Sequence, residues 1–222
     1  MGSVPRVSEA HLAARRQQII DAGRACFARN GFHTTSMQDV IAEAGLSVGA
    51  FYRYFRSKDE LIEAIAEQSV GRILGAIKPV TELEPAPSLP EAVAMIIEGI
   101  EPHATREGTF GMAIQVWAES LRSPAQERLV KEIYGRLGGL VRRIVERAAE
   151  AGHLPPGADV DAVASVMFSL IPGFALQRVL LGELDRETYL RGVQTCFDTS
   201  MTQNRLPSGS ARTTKSTSRS SG

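Results

Sequence analysis

Residues Ser36 to Lys58 read SMQDVIAEAGLSVGAFYRYFRSK, and two short helices joined by a tight turn account for nearly every residue in them. Ser36 is placed to cap a first helix, because its hydroxyl can accept from backbone N–H groups that lack a partner, and Asp39 supplies an acidic first turn. Gly45 follows Ala44 where a helix C-terminus adopts left-handed backbone, and Ser47 caps a second helix expected to run through Phe55. Helix, glycine turn, helix is the helix-turn-helix arrangement. Val40, Ile41, Ala44, Leu46, Phe51 and Phe55 form one apolar set able to bury against itself. Val48, Gly49, Ala50 and Arg53 are left on another face, small at the leading end so that backbone can approach a base edge, with one guanidinium to reach guanine. Ser36, Ser47, Tyr52, Tyr54 and Lys58 flank that face with hydroxyls, phenols and an ammonium suited to phosphate oxygens, which set register without reading sequence.

Taken out to Gly31 and Leu61, the stretch GFHTTSMQDVIAEAGLSVGAFYRYFRSKDEL resembles the DNA-binding signature of TetR-type transcriptional regulators. The family's glycine-aromatic turn before a Thr pair corresponds to Gly31, Phe32, Thr34 and Thr35. Its AG-hydrophobic-S turn is Ala44, Gly45, Leu46 and Ser47, and its recognition-helix ending is Tyr52, Tyr54, Phe55, Ser57 and Lys58. The rest of the chain matches in layout only. The resemblance implies an all-α fold of about nine helices, with an N-terminal three-helix helix-turn-helix domain followed by a larger helical ligand-binding and dimerisation domain. It also implies a homodimer on a palindromic double-stranded DNA operator, and final long helices that form a four-helix bundle with those of a second subunit.

Charge is informative only when divided along the chain, since the total is zero over 222 residues. Residues 1–58 hold eight Lys or Arg against four acids, net +4, and residues 59–204 hold thirteen against twenty-one, net −8. The last eighteen residues carry four basic groups and no acidic one. A basic head, an acidic body and a basic tail result, and the helix-turn-helix lies in the head. The expected division is 1–56 for DNA binding, 57–204 for effector binding and dimerisation, and 205–222 as a disordered basic tail. No uninterrupted apolar run approaches the roughly 18 residues of a membrane helix, and the N-terminus lacks an apolar signal core, so a cytoplasmic protein without membrane partners is expected. Cys26 and Cys196, each on an apolar helical face, read as two buried reduced thiols.

Periodicity predicts a first helix from about Glu9 to Asn30, a fourth from Ser57 to Lys78, and a linker from Pro79 to Pro90 with four prolines. Helices are then expected at Glu91 to about Arg106, Thr109 to Arg122, Ala125 to Ala151, Val160 to Gly182 with a break at Pro172-Gly173, and Arg186 to about Gln203. Phe110, Ile114, Trp117 and Leu121 make one large apolar stripe. With Met95, Phe168, Phe174 and Gln177, the residues Phe110, Ile114 and Trp117 are the candidates to wall an effector pocket, since pockets are mostly apolar with a few polar groups for orientation. Val163, Met167, Leu170, Val179, Tyr189, Val193 and Phe197 are the candidates for the dimer surface, because the apolar faces of the last two helices exceed what one domain buries.

No phosphate-binding glycine loop, His-Glu-x-x-His pattern or Gly-x-Ser-x-Gly elbow is present, and the four histidines lack metal-ligand spacing. The expectation is therefore a regulator rather than an enzyme, without cofactor or metal: a repressor released by a small, largely apolar effector. The competing classes are a constitutive architectural DNA-binding protein, and a helical small-molecule-binding protein or enzyme that kept a vestigial helix-turn-helix.

Overall fold

The computed structural model describes residues 9–182 and 184–197. Among them are nine α-helices and no strand: α1 Glu9–Asn30, α2 Met37–Ala44, α3 Val48–Phe51, α4 Lys58–Thr81, α5 Leu89–Ile100, α6 Thr109–Ser120, α7 Pro124–Glu150, α8 Val160–Leu181 and α9 Arg186–Phe197. A short 3-10 turn, Glu101–His103, follows α5. Helix starts follow side-chain chemistry: Ser57, Ser123 and Asp159 each accept a backbone N–H of the first turn they cap, which fills a bond the helix cannot supply itself.

Two apolar cores result, and α4 runs through both. Near its start Leu61, Ile62 and Ile65 are buried with Ile19, Ile20 and Phe27 of α1 and with Phe51 and Phe55. Near its end Ile77 and Val80 join Ile96 and Ile97 of α5, Val141 and Val145 of α7 and Phe174 of α8. Met112 and Val116 of α6 and Leu129 of α7 complete the first core, so the head is sealed partly by the body. By length and composition α8 is apolar enough to cross a membrane. Here it packs against α7 and α5, with Met167, Ile171, Phe174 and Val179 buried.

Several expected boundaries move. The fourth helix continues through Pro79 to Thr81, because a proline so near a helix end forfeits a single backbone hydrogen bond. The linker is therefore 82–88. α8 is likewise continuous through Pro172, with no break at Pro172-Gly173. The fifth helix stops at Ile100, where Pro102 tightens the chain into the 3-10 turn. Gly135, Gly138 and Gly139 of α7 have, among the described residues and apart from the backbone of their own helix, nothing within 4 Å of where a Cβ would stand. Cys26 is buried as expected, but Cys196 is exposed. The tail at 205–222, and any extension of the last helix beyond Phe197 to Gln203, lie outside the described residues.

Candidate nucleic-acid interface and effector cavity

The reading unit is built by local chemistry. Ser36 and Asp39 form a full capping box: the Ser36 hydroxyl accepts from the Asp39 N–H at 3.2 Å, and the Asp39 carboxylate accepts from the Ser36 N–H at 2.7 Å. The Ser36 N–H and the Ser36 hydroxyl, each donating to the carboxylate at 2.7 Å, hold the Asp39 carboxyl below its ordinary range, the backbone N–H contributing most. Gly45 ends α2 at φ +63°, a left-handed turn that a Cβ would strain, and its N–H reaches back to the Ala42 carbonyl. Gln18 of α1 donates to the Ala44 carbonyl at 2.7 Å, which ties α1 across the end of α2. Ser47 then accepts from the Ala50 N–H and opens α3.

The second helix is shorter than its sequence suggested. α3 ends at Phe51 rather than Phe55, because the N–H groups of both Tyr54 and Phe55 turn onto the Phe51 carbonyl, swinging the Phe55 ring into the core. Tyr52, Arg53 and Tyr54 therefore lie on a turn. Val48, Gly49, Tyr52 and Arg53 are exposed, Ala50 and Tyr54 half-buried. Among the described residues, Arg53 makes no hydrogen bond or ion pair. Ser36 and Ser47 are exposed at the caps, and Lys58 is half-buried with its Nζ donating to the Phe32 carbonyl. An ammonium has three donors, so that bond positions Lys58 and leaves two for another oxygen.

Behind the head, α4, α6, α7 and α8 line a cavity of about 80 Å³, which becomes about 750 Å³ only when its open mouth and surrounding solvent space are counted. Phe110 and Trp117 of α6 and Phe168 of α8 line it as expected. Met95, Ile114, Phe174 and Gln177 do not. Met95 and Gln177 face outward, Ile114 packs on the body core, and Phe174 is fully buried against Tyr189, their ring centroids 5.2 Å apart. In their place stand Ser69, Val70 and Ile73 from α4 and Val130, Ile133 and Tyr134 from α7. Spacing marked both helices as amphipathic, but no sequence signal separates an apolar side chain facing a cavity from one facing a core. No lining residue is charged. Trp117, Tyr134 and Phe168 form a chain of rings, Trp117 to Tyr134 at 6.4 Å and Tyr134 to Phe168 at 5.1 Å. Burial pushes the Tyr134 phenol above its ordinary value, which keeps it a neutral hydroxyl. Among the described residues no group of three His, Cys, Asp or Glu is placed to hold a metal ion.

An all-helical chain with this turn and this cavity has known counterparts. The family description "Bacterial regulatory proteins, tetR family" matches residues 19–65, and "BetI-type transcriptional repressor, C-terminal" matches residues 90–200, half of the chain. The chain belongs to the TetR family of bacterial transcriptional regulators. The HTH-type transcriptional repressor Rv1474c of Mycobacterium tuberculosis is 43% identical over 70 residues, 32% of this chain and 37% of that protein. The HTH-type transcriptional regulator UidR of Escherichia coli K12 is 27% identical over 160 residues, 71% of this chain and 78% of its own length. FadR of Bacillus subtilis, solved in complex with stearoyl-CoA, shares the fold with a TM-score of 0.68 at 18% identity, over 82% of this chain and 97% of that one.

In this TetR-family chain, cavity and head meet on shared helices. Gln115 of α6 donates to the Phe27 carbonyl near the end of α1 at 3.2 Å, and Gln126 of α7 donates to Asp59 at the start of α4 at 3.1 Å. His33 Nε2, in the turn before α2, lies 2.9 Å from the Glu119 carboxylate of α6. The expected dimer residues divide. Met167, Val179 and Val193 are buried within the protomer's own core, so they are unavailable to a partner. Val163, Leu170, Tyr189 and Phe197 are half-buried, and the Tyr189 hydroxyl donates to the Leu170 carbonyl at 2.7 Å. The large apolar side chains that α8 leaves in solvent are Val166, Leu180 and Leu181, 57%, 59% and 69% exposed.

Proposed function

We propose that this chain represses transcription as a homodimer on a palindromic operator, and leaves the DNA when a small, largely apolar molecule fills the cavity bounded by α4, α6, α7 and α8. The observation that carries the reading is the double role of α4. Its first turns hold the head through Leu61, Ile62 and Ile65, and its middle supplies Ser69, Val70 and Ile73 to the cavity wall. A molecule that needs those walls apart moves the head. The shift in operator affinity is bounded by the difference in the molecule's affinity for the two forms.

In this reading Arg53 reads a base, Val48, Gly49 and Ala50 give close apolar contact, and Ser36, Ser47, Tyr52, Tyr54 and Lys58 hold phosphates. Two heads seated in successive major grooves stand about 34 to 36 Å apart. The functional division falls at residue 56, before the Ser57 cap of α4, with 57–204 as the effector and dimer body. Val166, Leu180 and Leu181 support the pairing of α8 with a second copy, because large aliphatic side chains left in solvent along one helix gain from being covered. The chain works in the cytoplasm, where its DNA lies, without cofactor or catalytic step.

The test is retardation of the intergenic DNA flanking its own gene, in competition with random duplex. Selective retention by the native protein, lost on addition of an apolar ligand that quenches Trp117, is the expected result. Equal binding to random DNA, unchanged by any ligand, makes it an architectural protein instead.

A further inference from the structure

Arg16 is exposed on α1, and its guanidinium lies over the Phe55 ring, 5.1 Å from the ring centroid. Phe55 follows directly on the turn Tyr52-Arg53-Tyr54 and is itself 1% exposed, so its ring carries the arginine without reaching solvent. A ring face attracts a guanidinium and uses none of its five N–H donors. Two residues on, Gln18 is bonded to the Ala44 carbonyl at the end of α2, and this part of α1 is therefore fixed to the reading unit at two points.

The other arginines of the head differ in what holds them. Arg15 donates to Gln18 at 2.7 Å, Arg24 to Gln68 at 3.3 Å and Arg29 to Glu43 at 2.6 Å. Among the described residues up to Lys58, only the guanidiniums of Arg16, Arg53 and Arg56 make no hydrogen bond or ion pair. Arg56 has the Glu60 carboxylate on its own backbone N–H at 2.7 Å, an acid that repels an approaching phosphate. Arg16 is thus a cation held in place beside the recognition turn with all its donors free. The major groove is about 12 Å wide and walled by phosphates, so an element seated in it has anions on either side.

We propose that Arg16 is a further DNA contact, donating from α1 to a backbone phosphate on the wall of the groove that receives α3 and its turn. This rests on that turn's entering the major groove. The contact adds grip and register but no base discrimination, because the phosphate is the same at every step. Stacking on Phe55 holds the guanidinium in advance, so little side-chain freedom is lost when the phosphate arrives.

The experiment measures retardation of a random-sequence duplex and of the intergenic DNA flanking the gene across a salt series, with full-length wild type, Arg16→Met, Arg16→Gln and Arg72→Met. Methionine keeps hydrocarbon over Phe55 and removes the charge. Arg72 is exposed on α4, about 21 Å along the helix from Lys58, so its variant removes the same charge far from the recognition turn. Both Arg16 variants are expected to weaken both duplexes about tenfold at low salt and to lower the slope of log affinity against log salt by about one. Arg72→Met is expected to match wild type. Wild-type slopes in both Arg16 variants overturn the contact and leave Arg16 as a cover for Phe55. A changed slope in one Arg16 variant alone traces the effect to packing, and equal losses in Arg16→Met and Arg72→Met trace it to long-range charge; either result refutes the contact. Weakening confined to the intergenic DNA rules out a phosphate. If wild type retards no duplex, the seating of the head fails, and the inference with it. Thermal melts show that the variants are folded.

Discussion

Arg53 projects from the turn after α3 with no partner among the described residues, whereas Lys58 is steered by the Phe32 carbonyl. A free guanidinium suits bidentate recognition of a guanine edge, and a tethered ammonium suits a phosphate at fixed register. Arg53→Ala is expected to cost about 1 to 3 kcal/mol on the operator and little on random duplex. Lys58→Ala is expected to weaken both about equally and reduce the salt slope by about one. Identical salt titrations for the two variants would refute the division of roles. Asp39 gives a prediction in pH. Its folded pKa is depressed by the Ser36 bonds, so the capping box contributes fully above the ordinary carboxylate value of about 4, and the contribution fades as pH falls through the lower folded value. Denaturant melts between pH 6 and about 3 are expected to lose more stability in wild type than in Asp39→Asn.

At the scale of elements, α6 has two duties. Phe110, Ala113 and Trp117 face the cavity, Met112 and Val116 both line it and close the head core, and Gln115 meets the head. Gln115 Nε2 is bonded to the Phe27 carbonyl, but Gln115 Oε1 is buried without a partner among the described residues, so the side chain is held through its amide nitrogen alone. Gln115→Met keeps the bulk and removes both groups, and folding stability is expected to move by no more than about 1 kcal/mol. Effector binding should persist while the effector-induced change in operator affinity shrinks several-fold. Fluorescence titration with and without operator DNA measures both, and undiminished coupling would assign the transmission to α4 alone. Gly111→Ala drives a methyl into the Arg106 carbonyl oxygen and is expected to destabilise by about 1 to 3 kcal/mol in denaturant melts.

For the whole molecule the deciding quantity is association. Val166 and Leu180 stand on the solvent side of α8, while Met167, Phe174 and Val179 on its other side close the protomer's own core. Changing the outer pair therefore leaves folding nearly untouched. Val166→Asp with Leu180→Asp is expected to sediment as a monomer with an unchanged helical spectrum, and to lose operator affinity by orders of magnitude at nanomolar protein, because one head holds half the contacts. A wild-type protein that sediments as a monomer at micromolar concentration would overturn the paired reading.

The head was legible from sequence almost residue by residue. Ser36, Asp39, Gly45, Ser47 and Ser57 act through bonds to backbone within four residues, so their chemistry declares itself along the chain. The exception was the end of α3, where the burial of Phe55 won over continued helix. The cavity was half legible. Phe110, Trp117 and Phe168 were found because their stripes are large, but Met95, Ile114, Phe174 and Gln177 were misplaced, and Ser69 and Tyr134 were missed. Likewise Met167, Val179 and Val193 went to the core and Val166, Leu180 and Leu181 to the surface. Periodicity determines which residues share a face of a helix. What that face meets, whether core, cavity or solvent, depends on neighbours dozens of residues away, and only the packing of α4, α6, α7 and α8 decided it.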